Sequence, residues 1–268
     1  MKTEKEKTIG IVGGMGPQAG ADLLHEVTRL TPASKDQDHR DVILMSFPSH
    51  ITDRTAYFEG YSAVNPAYAI SEILLRLEKA GAGVAGLACN SSHIPAIFEV
   101  ILDQLQKHRS SLKLLNMPDE TCRHIREQFP HITKVGVLST TGTYKAGTYY
   151  RQLEGCGLQP ILPSLTFQQE VVHRMIYDET YGIKACATGI TDKVYNWLDE
   201  ALTYFKDAGA EAIILGCTEF NLVLKDPEVM GMKVINSNAA LARALVRETE
   251  TIEEPAHKNL KSGFSIGL

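Results

Sequence analysis

Three segments of this chain recur in the same order, and that repeat constrains the fold more than any other feature. Ala80-Gly-Ala-Gly-Val-Ala-Gly-Leu-Ala-Cys89 aligns without gaps to Ala208-Gly-Ala-Glu-Ala-Ile-Ile-Leu-Gly-Cys217, 128 residues later. Ile9-Gly-Ile-Val-Gly-Gly-Met-Gly16 aligns to Val135-Gly-Val-Leu-Ser-Thr-Thr-Gly142 at an offset of 126. Leu112-Lys-Leu-Leu-Asn116 aligns to Met232-Lys-Val-Ile-Asn236 at an offset of 120. Three matches in one order at nearly one offset indicate two copies of one unit. In each copy the first apolar run ends in a Gly- or Thr-rich turn, and a later run ends in cysteine.

The apolar runs Thr8–Val12, Val42–Phe47, Val84–Ala88, Leu112–Leu115, Lys134–Leu138, Ala212–Leu215 and Lys233–Ile235 read as strands. Between them lie helical patterns with apolar residues at three- and four-residue steps, such as Ile70, Ile73, Leu74 and Leu77. Continuously apolar strands that alternate with helices imply parallel sheets covered on both faces. The expected fold class is therefore α/β: two similar domains, each a parallel sheet flanked by helices, related by a pseudo-two-fold. Ligands of such sheets bind beyond the carboxyl ends of the strands. That puts the active site in the cleft between the domains, with Cys89 and Cys217 facing each other. The first domain is expected to span residues 1–117 plus 229–268 and the second 118–228, with the last helix returning to the first domain.

Composition narrows the function classes. A net charge of −5 and no basic stripe argue against a nucleic-acid partner. No window approaches the ~20 apolar residues of a membrane span. The start, Met-Lys-Thr-Glu-Lys-Glu-Lys7, lacks the apolar run of an export signal, so a cytoplasmic location is expected. The five cysteines, at 89, 122, 156, 186 and 217, are odd in number and form no C-x-x-C pair. Zinc-ribbon and thioredoxin readings therefore lack their signature, and no metal is expected.

A single cysteine at a strand end is usually a small core residue. That reading is applied to Cys122, Cys156 and Cys186. The matched positions of Cys89 and Cys217 separate them from the rest, as do their polar followers Asn90-Ser-Ser-His93 and Thr218-Glu219. Each is expected to precede a helix N-terminus, with Asn90 or Ser91 as the N-cap, where unpaired N–H groups favour thiolate. Hydrolysis by a cysteine nucleophile needs one thiol. Racemisation needs two acid/base groups on opposite faces of one carbon, and a pseudo-symmetric cleft with one thiol per half suits that reaction.

Five segments carry a family resemblance: Ile9-Gly-Ile-Val-Gly-Gly-Met-Gly-Pro17, Thr52-Asp-Arg-Thr-Ala-Tyr57, Ala88-Cys-Asn-Ser-Ser-His93, Ser139-Thr-Thr-Gly-Thr143 and Gly216-Cys-Thr-Glu219. With them the chain resembles the cofactor-independent aspartate/glutamate racemase superfamily, and the Asp-Arg-Thr segment resembles its aspartate racemase branch. The resemblance implies Cys89 and Cys217 as the two catalytic bases, with neither cofactor nor metal. It implies that Arg54 grips the substrate's side-chain carboxylate and that Lys184 is a second cationic contact. It places Asn90, Ser91, Thr141 and Thr218 around the α-carboxylate and amine, and adds Met15, Gly16 and Glu219 to the substrate-binding set. It implies a small amino-acid substrate and a homodimer. Ser91 stands where threonine is common in the family. Pro48-Ser-His-Ile-Thr52 departs from the usual lead-in to Arg54, which makes His50 a specificity candidate.

Each of these residues also has a plainer reading. His93 reads as an ordinary helix N-terminal histidine, Glu219 as an acidic first-turn residue, and Gly13, Gly14 and Gly16 as a tight turn. Gly14-Met-Gly16-Pro-Gln-Ala19 fits a dinucleotide fingerprint, but Pro17 is unusual there and no carboxylate ends the second strand. Two alternatives stay open: a cysteine-dependent isomerase or decarboxylase of a related diacid, and a non-enzymatic amino-acid-binding protein.

Overall fold

Nine strands and eleven α-helical segments are ordered along the chain in a computed structural model that describes residues 7–185 and 189–249. The first sheet contains β1 (Thr8–Gly13), β2 (Val42–Ser46), β3 (Ala82–Leu87) and β4 (Lys113–Leu114), in the order β2-β1-β3-β4 and all parallel. The second contains β5 (Lys134–Ser139), β6 (Gln159–Ile161), β7 (Ala212–Gly216), β8 (Glu228–Val229) and β9 (Met232–Asn236), in the order β6-β5-β7-β9-β8. Without its antiparallel edge strand β8, the second sheet has the strand order of the first. The three repeated segments fall on β1 and β5, β3 and β7, and β4 and β9. The sequence repeat is thus a repeat of topology. Short β6 and β8 lay below the reach of apolar periodicity.

Both faces of each sheet are covered, which is why the strands are apolar without alternation. On the first sheet, Ile9, Ile11 and Val84 face Leu23 and Val27 of α1 (Pro17–Leu30), together with Leu241 and Leu245 of the last helix. Val12, Ala85 and Leu87 point the other way. They meet Ile70, Ile73, Leu74 and Leu77 of α3 (Ala67–Lys79) and Ile97 and Ile101 of α4 (Pro95–Lys107). Each fully buried aliphatic side chain contributes roughly 1.5–3 kcal/mol. The second sheet is sandwiched likewise. Val135, Val137 and Ile214 lie on one face, and Leu138, Ile213 and Leu215 lie on the other with Trp197 and Phe205 of the helix Asp192–Asp207.

Each unit ends in a helix that packs on the other sheet. Asn116 and Asn236, aligned in the repeat, are both N-caps. Asn116 Oδ1 accepts from Asp119 N at 3.2 Å and starts α5 (Met117–Gln128). Asn236 Oδ1 accepts from Ala239 N at 3.1 Å and starts the last helix, Ser237–Arg247. Cys122 and Ile125 of α5 pack with β5 and β7 of the second sheet, whereas Leu241 and Leu245 pack with β1 and β3 of the first. The expected boundary at residue 229 is corrected here. β8 and β9 belong to the second sheet, because β9 pairs with β7, and the chain returns to the first sheet only at Ser237.

The remaining helices are α2 (Arg54–Phe58), α6 (Thr141–Lys145), α7 (Thr148–Gly155), and α8 (Leu165–Phe167) and α9 (Arg174–Tyr177) joined by a π-helical stretch, Gln168–His173. Asp192–Asp207 is α10 and Ser237–Arg247 is α11. Among the described residues no helix is long and apolar enough to cross a membrane.

Candidate active site

The carboxyl ends of β1, β3, β5 and β7 converge, and the turns that follow them line one small cavity. Its walls include Met15 after β1, Cys89, Asn90 and Ser91 after β3, Thr140 after β5, and Cys217, Thr218 and Glu219 after β7. Arg54, Tyr177 and Lys184 complete it. The interior is about 10 Å³, room for roughly one water. An outer chamber of about 560 Å³ adjoins it, lined by Gly16, Gln18, Ala19, Asp22 and Leu222, and it shares Lys184, Thr218 and Glu219 with the inner cavity. A larger cavity of about 630 Å³, lined by His25, His124 and Arg243 among others, contains neither Cys89 nor Cys217.

Both cysteines are free and buried. The segments after them are short 3-10 turns, Asn90–His93 and Thr218–Leu222, rather than α-helices. The expected α-helix N-terminus is therefore replaced by a turn, because Pro95 restarts the helix five residues after Asn90. Neither Asn90 nor Ser91 is the N-cap; Cys89 itself occupies that position.

The charges on the two sides differ. Arg54 is buried beside Cys89. Its Nη2 donates to Met15 O at 2.8 Å and its Nη1 to Thr52 O at 3.2 Å, while its Nε is buried without a partner. Burial is the largest single influence and opposes its charge, but Cys89, Asp53 and Tyr177 together outweigh it, and its pKa is raised. Cys217 faces a carboxylate instead. Its thiol donates to Glu219 Oε2 at 2.9 Å, and Glu219 Oε1 is ion-paired with Lys184. Burial first, and then the Glu219 carboxylate, push the Cys217 thiol well above the usual range. Burial also works against ionised Glu219. Lys184 and the Cys217 thiol overcome it and hold the carboxyl below its ordinary value. The thiolate that a helix N-terminus was expected to favour is thus disfavoured at Cys217.

Hydrogen bonds tie the two cysteine turns together. Tyr149 OH donates to Asn90 Oδ1 at 2.5 Å, Asn90 Nδ2 to Ser237 Oγ at 3.0 Å, and Ser237 Oγ to Leu215 O at 2.8 Å. Ser91 Oγ pairs with Thr140 Oγ1 at 2.9 Å and with Thr143 Oγ1 at 3.0 Å. His93 is fully committed: its Nδ1 donates to Cys89 O at 3.0 Å, and its Nε2 accepts from Met117 N at 3.2 Å. Burial depresses its pKa to about 4, so the ring is neutral and structural.

Residues 12–245 match the family described as Asp/Glu/Hydantoin racemase. The chain belongs to the Asp/Glu/hydantoin racemase family. It is an isomerase of the racemase superfamily. Its sequence is 28% identical over 248 residues to the broad specificity amino-acid racemase RacX of Bacillus subtilis (strain 168), covering 89% of this chain and 96% of that one. Its fold is similar to that of Picrophilus torridus aspartate racemase, with a TM-score of 0.73, 26% identity and coverage of 91% and 94% of the two chains. It shares a fold with glutamate racemase from Francisella tularensis subsp. tularensis SCHU S4, at a TM-score of 0.60, 17% identity and coverage of 90% and 80%.

In this racemase the structure brings Met15, Arg54, Cys89, Asn90, Ser91, Lys184, Cys217, Thr218 and Glu219 together, with Gly16 one step out in the chamber. Gly16 borders Glu219: a Cβ there would lie 3.6 Å from Glu219 Oε1. Thr141 is corrected. It does not line the cavity, and its Oγ1 bonds His173 Nδ1 at 3.0 Å. β5 ends at Ser139, so the residue in the cleft is Thr140, which caps α6 by accepting from Thr143 N at 3.2 Å. The T-x-x-T spacing was the available signal. Tyr177 carries no sequence signal; its OH donates to Thr55 Oγ1 at 3.3 Å, and its ring lies under Lys184 Nζ. His50 is exposed, stacks on Phe47 at 5.5 Å and lies outside the cavity lining. Gly14 has φ +86°, and a Cβ there would fall 2.9 Å from the Phe47 backbone, so this turn requires glycine. Cys186 lies outside the described residues.

Proposed function

We propose that this enzyme racemises a free amino acid carrying a second carboxylate, aspartate first and glutamate second, by proton transfer between Cys89 and Cys217. The reading is carried by one observation: cysteines from equivalent strand ends line one cavity, one beside a cation and the other beside a carboxylate. In the resting enzyme Cys217 is the acid and Cys89 the base. Cys89 removes the α-proton, and Cys217 delivers its own to the opposite face. Lys184 then balances the charge that develops at Cys217. The buried Arg54 Nε, which lacks a partner, is a donor that a substrate carboxylate would fill. Asn90, Ser91, Thr140 and Thr218 supply polar groups around the α-carbon. Both proton-transfer groups come from the chain itself.

The inner cavity is smaller than aspartate, so the two sheets must part to admit substrate and close to exclude water. The Lys184–Glu219 pair lies on that path. A broader substrate range is the second reading. It is favoured because Lys184 is already paired and Arg54 already holds two carbonyls.

The deciding experiment is incubation in D₂O without added cofactor. Both aspartate enantiomers should interconvert and gain α-deuterium. Cys89→Ser and Cys217→Ser should each lower racemisation by about 10²–10⁴, and an unaltered racemisation rate in either removes the two-cysteine mechanism. A panel of aspartate, glutamate and apolar amino acids separates the two substrate readings. A homodimer is part of the proposal; it is supported by the exposed Tyr61, Val64 and Tyr68 around the start of α3 and is tested by light scattering. A cytoplasmic location accords with four described cysteines that are all free.

A further inference from the structure

Two thiols with no part in proton transfer lie together on the second sheet's outer side. Cys122 is on the buried face of α5, packed among Ile125, Val135, Tyr149 and Leu153. Cys156 ends α7, is half-buried, and donates to Leu153 O at 3.3 Å. Both are free and belong to one packed cluster. They line one surface cavity of about 300 Å³ with Asp119, Arg123, Arg126 and Gln152. Arg123 is 3.7 Å from Glu120, and Arg126 has no acidic partner among the described residues. The cavity therefore combines an accessible thiol, a second thiol behind it, and net positive charge.

We propose that Cys122 and Cys156 form a reversible thiol–disulfide site, oxidised by a small anionic disulfide drawn to Arg123 and Arg126, and that the bridge acts on the Cys89 turn through Tyr149. Cys156, the more exposed thiol, reacts first. Its thiolate attacks one sulfur of R–S–S–R, the S–S bond breaks, and the departing thiolate takes a proton to become RSH. Cys122 then gives up its proton to water and attacks Cys156 Sγ in the mixed disulfide, expelling the second thiolate as RSH. The protein loses two protons and two electrons, and the small disulfide gains both. Burial and Cys156 hold the Cys122 thiol far above the usual range, which suits the resolving rather than the attacking role.

The link to the site is direct. Tyr149 belongs to α7, lies against Cys122, and donates to Asn90 beside Cys89. α5 in turn holds His93 through Met117 N. A bond between α5 and α7 therefore joins the two helices that brace the Cys89 turn.

The test uses the full chain, incubated with oxidised glutathione, alkylated and digested without reductant. A linked peptide pair joining Cys122 to Cys156 is expected, reversed by dithiothreitol and absent in Cys156→Ser. Arg126→Glu should slow its formation several-fold with glutathione but not with uncharged hydroxyethyl disulfide. Full alkylation of both cysteines, or linkage of either to another cysteine, overturns the site. This mapping stands apart from the racemase reading, since it needs no turnover. The coupling rests on that reading: bridging should lower α-proton exchange reversibly in the parent protein and leave Cys156→Ser unchanged. A bridge that forms without altering exchange overturns the coupling.

Discussion

Glu219 accepts a hydrogen bond from the Cys217 thiol at 2.9 Å, and its other oxygen is held by Lys184. The repeat aligns Glu219 with Ser91, and the charged group beside Cys89 is instead the Arg54 guanidinium. The backbone repeat is therefore broken at its charges. A symmetric cleft would leave the two thiols competing for the same protonation state. Here a carboxylate lies beside one sulfur and a cation beside the other, the asymmetry on which the proposed acid and base roles rest.

On the proposed mechanism Glu219 sets the alkaline limb of activity. Its carboxylate raises the Cys217 thiol, which must be protonated to act as acid. Glu219→Gln removes that negative charge and frees Lys184, and both changes lower the thiol pKa. The alkaline limb of kcat/KM should therefore move to lower pH. A pH–rate profile that keeps its alkaline limb in place would assign Glu219 to structure alone.

On the proposed reading Arg54 distinguishes substrate side chains. Arg54→Lys keeps a charge but loses the planar fork. Each charge-assisted bond lost is about 1.5–3 kcal/mol, or roughly 10- to 150-fold. Aspartate turnover should fall by that order, and turnover of an apolar amino acid by much less. Equal losses on both substrates would show that Arg54 acts through the Met15 turn or Cys89 and not through the substrate.

His93 makes stability fall in mild acid. Its folded pKa of about 4 lies below the ordinary 6.5, so the unfolded chain takes the proton first. Stability is unaffected above pH 6.5 and declines as pH falls toward 4. Between pH 7 and pH 5 this group should account for about 2 kcal/mol. Urea unfolding of His93→Gln should show a shallower decline over that interval, and an unchanged slope would mean the ring is protonated in the fold.

Gly20 lets α1 sit close on β1. A Cβ at Gly20 would fall 2.9 Å from the Gly13 Cα, and backbone cannot move aside as a side chain can. Gly20→Ala should cost about 1–3 kcal/mol, observable as a lower urea midpoint. Because α1 follows the Met15 turn, KM should also rise; a variant of parental stability would place α1 farther from β1 than described.

Much of this was legible in the chain. Apolar runs without alternation marked strands covered on both faces, and the repeat paired β3 with β7 and Cys89 with Cys217. Even the exchanged helices had a sign, since aligned Asn116 and Asn236 are the caps that start them. Short edge strands β6 and β8 left no periodic trace. Thr140 was hidden behind Thr141 because one residue of phase at a strand end decides which side chain enters the cleft. Residue 229 misled because β9 had to be assigned to a sheet, and sheet membership is a long-range pairing.

By itself, then, the sequence determined the unit, its duplication and which two of five cysteines are equivalent, because these follow from local periodicity and alignment. Only the tertiary structure decided that Glu219 faces one sulfur and Arg54 the other, that Lys184 answers Glu219, and that Tyr177 closes the cavity. Glu219 sits only two residues from Cys217, but Arg54, Lys184 and Tyr177 reach the two sulfurs from distant parts of the chain. Their electrostatics depend on distance and burial, and neither is a property of spacing along the chain.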